Sequence, residues 1–242
     1  MAEPPPAVYI GTSGWAYAWN EGGTLDWYIG NSGLNAVELN ASFYRFPFPN
    51  QVKAWAAKGK SLHWVVKVNR LITHIYKFSE KSEGTWLKFR DLFAPLEKRI
   101  DLFLFQLPPF LTPDSAQKIE RLVEVAGPEK FALEVRHERW FAPEWLDWAR
   151  KLGITWVSID APVFISRVFR TSDKVYVRMH GRTGWYSHNY SVAELKGVVG
   201  AIRAEKPRSV YIFFNNDTGM LDNAQSMMRI MVRDASAAVL PV

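Results

Sequence analysis

The chain has 242 residues, close to the roughly 250 of a single (β/α)8 domain, and can bury a large core. It contains no cysteine, which excludes disulfides, thiolate catalysis and cysteine-ligated zinc or iron–sulfur clusters, and agrees with a reducing compartment. A formal charge of +6 favours polyanionic partners, but Lys and Arg are spread along the chain without a dense basic run, so charge alone supports nucleic acid only weakly.

The amino-terminal MAEPPPAVYI lacks a basic segment followed by an apolar one, and no stretch reaches the roughly 18 apolar residues of a membrane span. The expectation is a cytoplasmic protein without a membrane partner, organised as one domain over residues 1–242. No repeat, linker or low-complexity block interrupts it.

Eight short apolar runs, each ending in polar or charged residues, recur with room for one helix between neighbours: Tyr9 to Ser13, Ala36 to Ser42, Trp64 to Asn69, Leu102 to Leu107, Phe131 to Arg136, Thr155 to Asp160, Val175 to His180 and Val210 to Asn216. That pattern predicts an α/β fold, a single (β/α)8 TIM-type barrel. After the first run comes an aromatic loop, GWAYAWNEGG, then a helix-like DWYIGN. Pro49 and Asn50 open a helix, QVKAWAAKG, that stops at Gly59. In the third crossover Trp86, Phe89, Leu92 and Phe93 recur at helical spacing as a core-facing stripe, and Pro95 ends or kinks the segment. Thr112-Pro113-Asp114 starts a helix that closes on Gly127, and Pro143 opens EWLDWARKLG. The sixth crossover, APVFISRVFRTSDK, is short and β-like, so an irregular segment is expected there. Ser191 and Glu194 form a capping box for the next helix, the last helix runs from about Leu221 to Ser236, and the AAVLPV tail tucks under or frays.

Strand side chains alternate faces, so in VELNAS Val37 and Leu39 face the outer helices while Glu38 and Asn40 face inward. The same parity selects Lys67, Asn69, Gln106, Glu134, Arg136, Asp160, Arg178, His180 and Asn215. Parallel barrel strands point their C-terminal ends at one mouth, where catalytic residues gather. The competing reading is a barrel layer whose charged residues only satisfy one another.

These residues lie within motifs, GTSGWAYAW, VELNASFYRFP, VVKVNRLITH, LFQLPP, LEVRHERWF, VRMHGRTGWYS and FFNND, that run in order along nearly the whole chain. Together they resemble the domain-of-unknown-function 72 family (DUF72, YecE-like). The resemblance implies a (β/α)8 barrel grouped with xylose-isomerase-like and endonuclease-IV-like barrels, and no family-wide reaction. The chain departs from the family's pattern mildly, at Asn216-Asp217-Thr218 and in the abbreviated crossover after Asp160.

Four chemistries fit the inward set. Glu38, Glu134, Asp160 and His180 are ligand types for a divalent metal ion, the candidate cofactor, although Lys67, Arg136 and Arg178 in the same layers supply three balancing cations. Arg136, Arg178, Arg182, Lys67 and Arg70 are alternative receptors for a phosphate or carboxylate, leaving Glu134 or Asp160 as general base and His180 to share proton transfer. Lys67 is a formal Schiff-base amine, a role that nearby carboxylates oppose. A network of ion pairs is the structural alternative. No serine has a convincing base, GTSG is not a nucleophile elbow, and GRTGW is neither a Walker nor a dinucleotide motif.

Loop residues Trp15, Tyr17, Trp19, Tyr44, Trp140, Phe141, Trp185 and Tyr186, interleaved with Arg45, Arg139 and Arg182, form an expected aromatic collar suited to bases or sugars, or else packed together as a lid. The sequence favours a hydrolase, nuclease-like in class, acting by general acid–base chemistry on an anionic, phosphorylated or nucleic-acid substrate. Glu134, Asp160 and His180 carry the chemistry in this reading. Glu38, Asn40, Lys67, Gln106, Arg136, Arg178, Arg182, Trp185, Tyr186 and Asn215 bind. The rivals are a non-catalytic barrel that binds DNA or RNA, and a metal-dependent sugar isomerase or epimerase.

Overall fold

A computed structural model describes residues 4–164 and 167–237. Eight parallel strands, β1 (Ala7–Thr12), β2 (Ala36–Leu39), β3 (His63–Lys67), β4 (Ile100–Gln106), β5 (Phe131–Glu134), β6 (Thr155–Asp160), β7 (Lys174–Met179) and β8 (Ser209–Phe214), follow one another in a closed barrel. The helices are α1 (Leu25–Asn31), α2 (Ala41–Tyr44), α3 (Pro49–Lys58), α4 (Glu80–Leu92), α5 (Ala116–Ala126), α6 (Pro143–Leu152), α7 (Val192–Ala204) and α8 (Met220–Ala237). The architecture is the expected (β/α)8 barrel. No helix among the described residues is long and apolar enough to cross a membrane.

Strand ends agree with the sequence reading to within three residues, and the sixth strand, Thr155–Asp160, coincides at both ends. The second run stops being a strand at Leu39, and Ala41–Tyr44 turns helical, because the short polar Ser42 bonds back to backbone carbonyls instead of extending the ladder. The fourth crossover helix also begins later than expected. Pro113–Ser115 forms a 3-10 turn, and the Thr112 hydroxyl, rather than capping a helix, lies 2.9 Å from the Asp114 carboxylate. Ser191 and Glu194 do form the capping box of α7. In the sixth crossover no helix occurs among the described residues; Ala161 and Phe164 form an isolated bridge, and 165–166 lie outside the described residues. So does the tail beyond Ala237.

The chain comprises two compact units, one formed by Met1–Val37 with Ser158–Val242 and one by Glu38–Val157. In the first, β8 pairs in register with β7 on one side and β1 on the other. Buried Tyr28 on α1 donates its hydroxyl to the Ala36 carbonyl at 2.8 Å and accepts the Thr12 amide at 3.2 Å, tying β1 to the start of β2. Burial pushes that phenol's pKa up, so it remains a donor.

In the second unit β4 lies between β3 and β5. Its core is aromatic. Trp86 meets Phe103 edge-on at 4.9 Å, Phe105 stacks on Phe131 at 3.8 Å, and Trp140 packs against Trp145 at 5.0 Å and Trp148 at 5.7 Å. Trp86, Phe89 and Phe93 are buried, as the helical stripe requires, while Leu92 is only half-buried.

Gly11 marks the tightest backbone approach in the first unit, since a Cβ there would run into the Ala36 carbonyl. Gly11→Ala is therefore expected to destabilise the protein by more than about 2 kcal/mol. Urea unfolding with an unchanged midpoint would show that the strands can separate without penalty.

Candidate active site

The polar layer sits at or just beyond the C-terminal ends of the strands, and much of it is withdrawn from water. Glu38 and Glu134 are fully buried in one unit, and Asp160, Arg178 and His180 are at most 2 % exposed in the other. Burying charge is costly unless each group is paired and hydrogen-bonded, so the partners define what the layer can do.

In the unit Glu38–Val157, the Arg136 guanidinium closes back on the Glu134 carboxylate, with Nε 2.7 Å from Oε1 and a terminal nitrogen on the same oxygen. The two residues are i and i+2, on the same side of an extended segment. Gln106 lies half-buried at the end of β4, in register with Glu134. Lys67, at the end of β3, holds its ammonium 4.3 Å from the centre of the Phe43 ring. Asn69, expected to face inward, serves as a brace: its side-chain amide nitrogen donates to the Ser42 carbonyl at 2.8 Å and its oxygen accepts the Leu71 amide at 3.0 Å. Asn40 stands at the start of α2 without capping it through its side chain.

In the other unit, Asp160 is the hub. Arg182 embraces it with Nε 3.1 Å from both oxygens and a terminal nitrogen at 2.9 Å, and the Tyr190 hydroxyl donates to Oδ1 at 3.0 Å. The same hydroxyl accepts the Gly181 amide at 2.8 Å. Hydrogen bonding to Asp160 holds the Arg182 guanidinium above its already high pKa, and burial, with the adjacent carboxylate, pushes the Tyr190 phenol up.

The network continues to Glu194, 3.7 Å from Arg182 and 3.2 Å from His188 Nε2. Burial pushes the Glu194 carboxyl up, but hydrogen bonds from the Ser191 amide and hydroxyl, with His188 nearby, outweigh it and hold the carboxyl below its ordinary range. The loop after β7 is thereby fastened at both ends. Gly181, at φ +107°, is required there, because a Cβ would lie 2.6 Å from the Gly184 carbonyl oxygen.

Deeper in this unit Arg178 lies 3.3 Å from His180 Nε2, and Asn215 lies 3.3 Å from Nδ1. A guanidinium has no lone pair to offer, so the Arg178 contact is favourable only when Nε2 accepts, which is the neutral imidazole. Trp185 and Tyr186 cover the ring at 5.3 and 5.7 Å, and Tyr186 remains 41 % exposed despite a left-handed φ of +64°.

The structure divides the expected collar. Trp140 is no part of it: it is fully buried among tryptophans and donates its indole N–H to the Leu111 carbonyl at 2.8 Å, because the turn Glu138–Phe141 folds it inward. Arg139 pairs with exposed Asp114. Tyr17 and Trp19 stack on each other at 5.6 Å, whereas Tyr44 is largely exposed. Sequence reasoning missed Tyr190 and His188, which carry no motif and reach their partners only through the loop's fold.

Among the described residues no group of three or more His, Asp or Glu side chains is arranged to hold a metal ion. The suggested set of Glu38, Glu134, Asp160 and His180 is not such a cluster. Asp160 has both oxygens on Arg182 and Glu134 holds Arg136, which places cations where a metal would have to approach.

These features define the class as a (β/α)8 barrel with buried, largely paired charges at its strand ends. The family model for the protein of unknown function DUF72 matches residues 9–241. A crystal structure of a DUF72 family protein from Thermotoga maritima is 27% identical, covers 93% of this chain and 99% of its own, and superposes with a TM-score of 0.82. Two structures of a DUF72 family protein from Enterococcus faecalis share the fold. They are 20% and 21% identical, cover 93% and 95% of this chain and 95% and 99% of their own, and have TM-scores of 0.81 and 0.80. No curated protein matches. The chain belongs to the DUF72 family.

The Asp160 hub yields a direct expectation. Asp160→Asn should lower stability by about 2 kcal/mol, less than the roughly 3–5 kcal/mol of a wholly buried pair because Arg182 can be partly rehydrated. The Gly181 and Tyr186 amides should exchange with solvent faster in the variant. Native-state hydrogen exchange that left both amides as protected as in wild type would remove Asp160 from its anchoring role.

Proposed function

We propose that the protein is an enzyme acting by general acid–base hydrolysis on a phosphorylated or nucleic-acid substrate at the C-terminal ends of its strands. The observation that carries this reading is the burial of Glu134, Arg178 and His180 at that end, where barrels of this topology carry their chemistry. Charge is withdrawn from water at a position where fold stability alone asks only for apolar layers.

Glu134 and His180 are the proton-transfer groups in this proposal, each assigned within its own unit. Arg178 and Arg136 stabilise developing negative charge, and Lys67 contributes a further cation. Glu38, Asn40, Gln106 and Asn215 supply hydrogen-bonding groups. Asp160 keeps its place in the site as the residue that positions Arg182 and the loop bearing Trp185 and Tyr186, with both its oxygens already engaged. The setting of the reaction is the cytoplasm.

A second reading, a barrel that binds nucleic acid without turnover, is favoured by one observation: Tyr186, 41 % exposed beside Trp185, offers a stacking platform of the kind bases use. The two readings part on turnover.

Labelled single-stranded, duplex and abasic DNA, and a panel of phosphate esters, would be incubated with wild type and Glu134→Gln, with EDTA or with Mg²⁺, Mn²⁺ or Zn²⁺. The proposal predicts turnover by wild type and a loss on the order of 10²- to 10⁴-fold in the variant, with binding retained. Salt-sensitive binding with no turnover in any arm establishes the second reading instead.

A further inference from the structure

We propose that the π turn after β3 is a phosphoryl subsite in which Lys67, Arg70 and His74 surround a dianionic group of the substrate. The proposal deepens the reading above and rests on it for the identity of the substrate class.

The site is built before any ligand arrives. Ser42 Oγ lies 2.7 Å from the Lys67 carbonyl and 3.0 Å from the Leu39 carbonyl, and Asn69 joins the Ser42 carbonyl to the Leu71 amide. The residues leaving β2 and β3 are thus bound into one piece. From Leu71 the chain makes a π turn, closed by the Tyr76 amide on the Leu71 carbonyl at 2.8 Å. Such turns recur at functional sites because the extra residue per turn re-aims a side chain.

This turn is also strained. Lys77 and Phe78 follow it with φ of +50° and +59°, left-handed values unfavourable for side-chain-bearing residues. The conformation is held by Ser82 Oγ, 3.0 Å from the Ile72 carbonyl, and by the burial of Phe78 against Phe105.

The turn gathers positive charge. His74 meets Phe43 edge-on at 5.0 Å, and Lys67 sits over that same ring. Arg70 heads the turn, exposed, with no ion pair among the described residues. His74 Nδ1 is occupied by the Thr73 hydroxyl at 2.8 Å, leaving Nε2 for a ligand.

The charged groups acting on the imidazole are Lys67 from β3 and Arg70 from the head of the turn; α2 faces it with the uncharged Phe43. Burial first, and then those two cations, pull the His74 pKa down to about 4. The ring is therefore neutral near pH 7, in a place where a proton would be welcome only if negative charge came with it. A dianion offsets both cations and stabilises the imidazolium. A carboxylate carries half that charge and suits the site less.

Proton uptake gives the test a readout independent of turnover. In protein with isotopically labelled histidine, His74 would be titrated by NMR in chloride, phosphate, sulfate and acetate at matched ionic strength. Sulfate remains dianionic across the range and isolates the ring's own titration. The proposal predicts a His74 midpoint near 4 in chloride, raised by about one unit or more in sulfate, a tenfold linkage, and moved less in phosphate and acetate, which carry at most one charge at that pH.

Arg70→Ala should act in two opposed directions: with a like charge removed, the midpoint in chloride rises, while the further rise on adding sulfate shrinks. A purely structural arginine would do neither. A midpoint unmoved by sulfate, or moved as far by the singly charged phosphate or acetate, overturns the subsite. If sulfate moves His74 while wild type turns over no ester, the subsite stands and the hydrolytic reading falls. If turnover occurs with His74 unmoved, hydrolysis stands and the phosphoryl group is held elsewhere.

Discussion

Charge that leaves water at the end of a strand must find a partner there, and that constraint organises everything beyond the ladder in this protein. Asp160 shows it most fully. Its carboxylate holds three nitrogen contacts from Arg182 and a hydroxyl from Tyr190, and through them it fixes the loop between β7 and α7 to the end of β6. The loop then covers His180 with two aromatic rings. Removing the carboxylate would leave a guanidinium and a phenol without their acceptor and the loop without its tether. The aromatic cover therefore depends on an ion pair at the base of its loop.

The strands were legible because β-branched and aromatic runs of four to seven residues, bounded by polar residues, have few other uses in a chain of this composition. Their ends were less so. After Asn40 the chain turns helical, since whether Ser42 extends the ladder or bonds back to the Leu39 and Lys67 carbonyls is decided in part by a residue 25 positions away in sequence. The delayed start of α5 has the same origin in a local competition, with the Thr112 hydroxyl taken by Asp114.

At the candidate site, strand parity found the residues but not their partners. Glu134 and Arg136 stand two apart and could be paired on spacing alone; Asp160 and Arg182 stand 22 apart and could not. Composition misled in one respect, for Trp140 has the same aromatic neighbours in sequence as a collar residue but is fully buried. His74 escaped notice because a π turn has no sequence signature, and LITHI reads as an ordinary continuation of an apolar stretch.

The compensated and the crowded charges differ in what an incoming anion must do. At Arg182 it would have to displace Asp160, which is 4 % exposed in its side chain and would be left as an unpaired buried carboxylate, so binding there would be opposed by the desolvation already spent on that pair. At Arg70 nothing needs to be displaced, and the neighbouring cations already bear unfavourably on His74. An anion entering that turn stabilises the protonated His74 that Lys67 and Arg70 disfavour. Of the cations expected to receive substrate, Arg182 is suited to hold the scaffold through Asp160, and recognition of an incoming anion falls to Lys67 and Arg70 around His74.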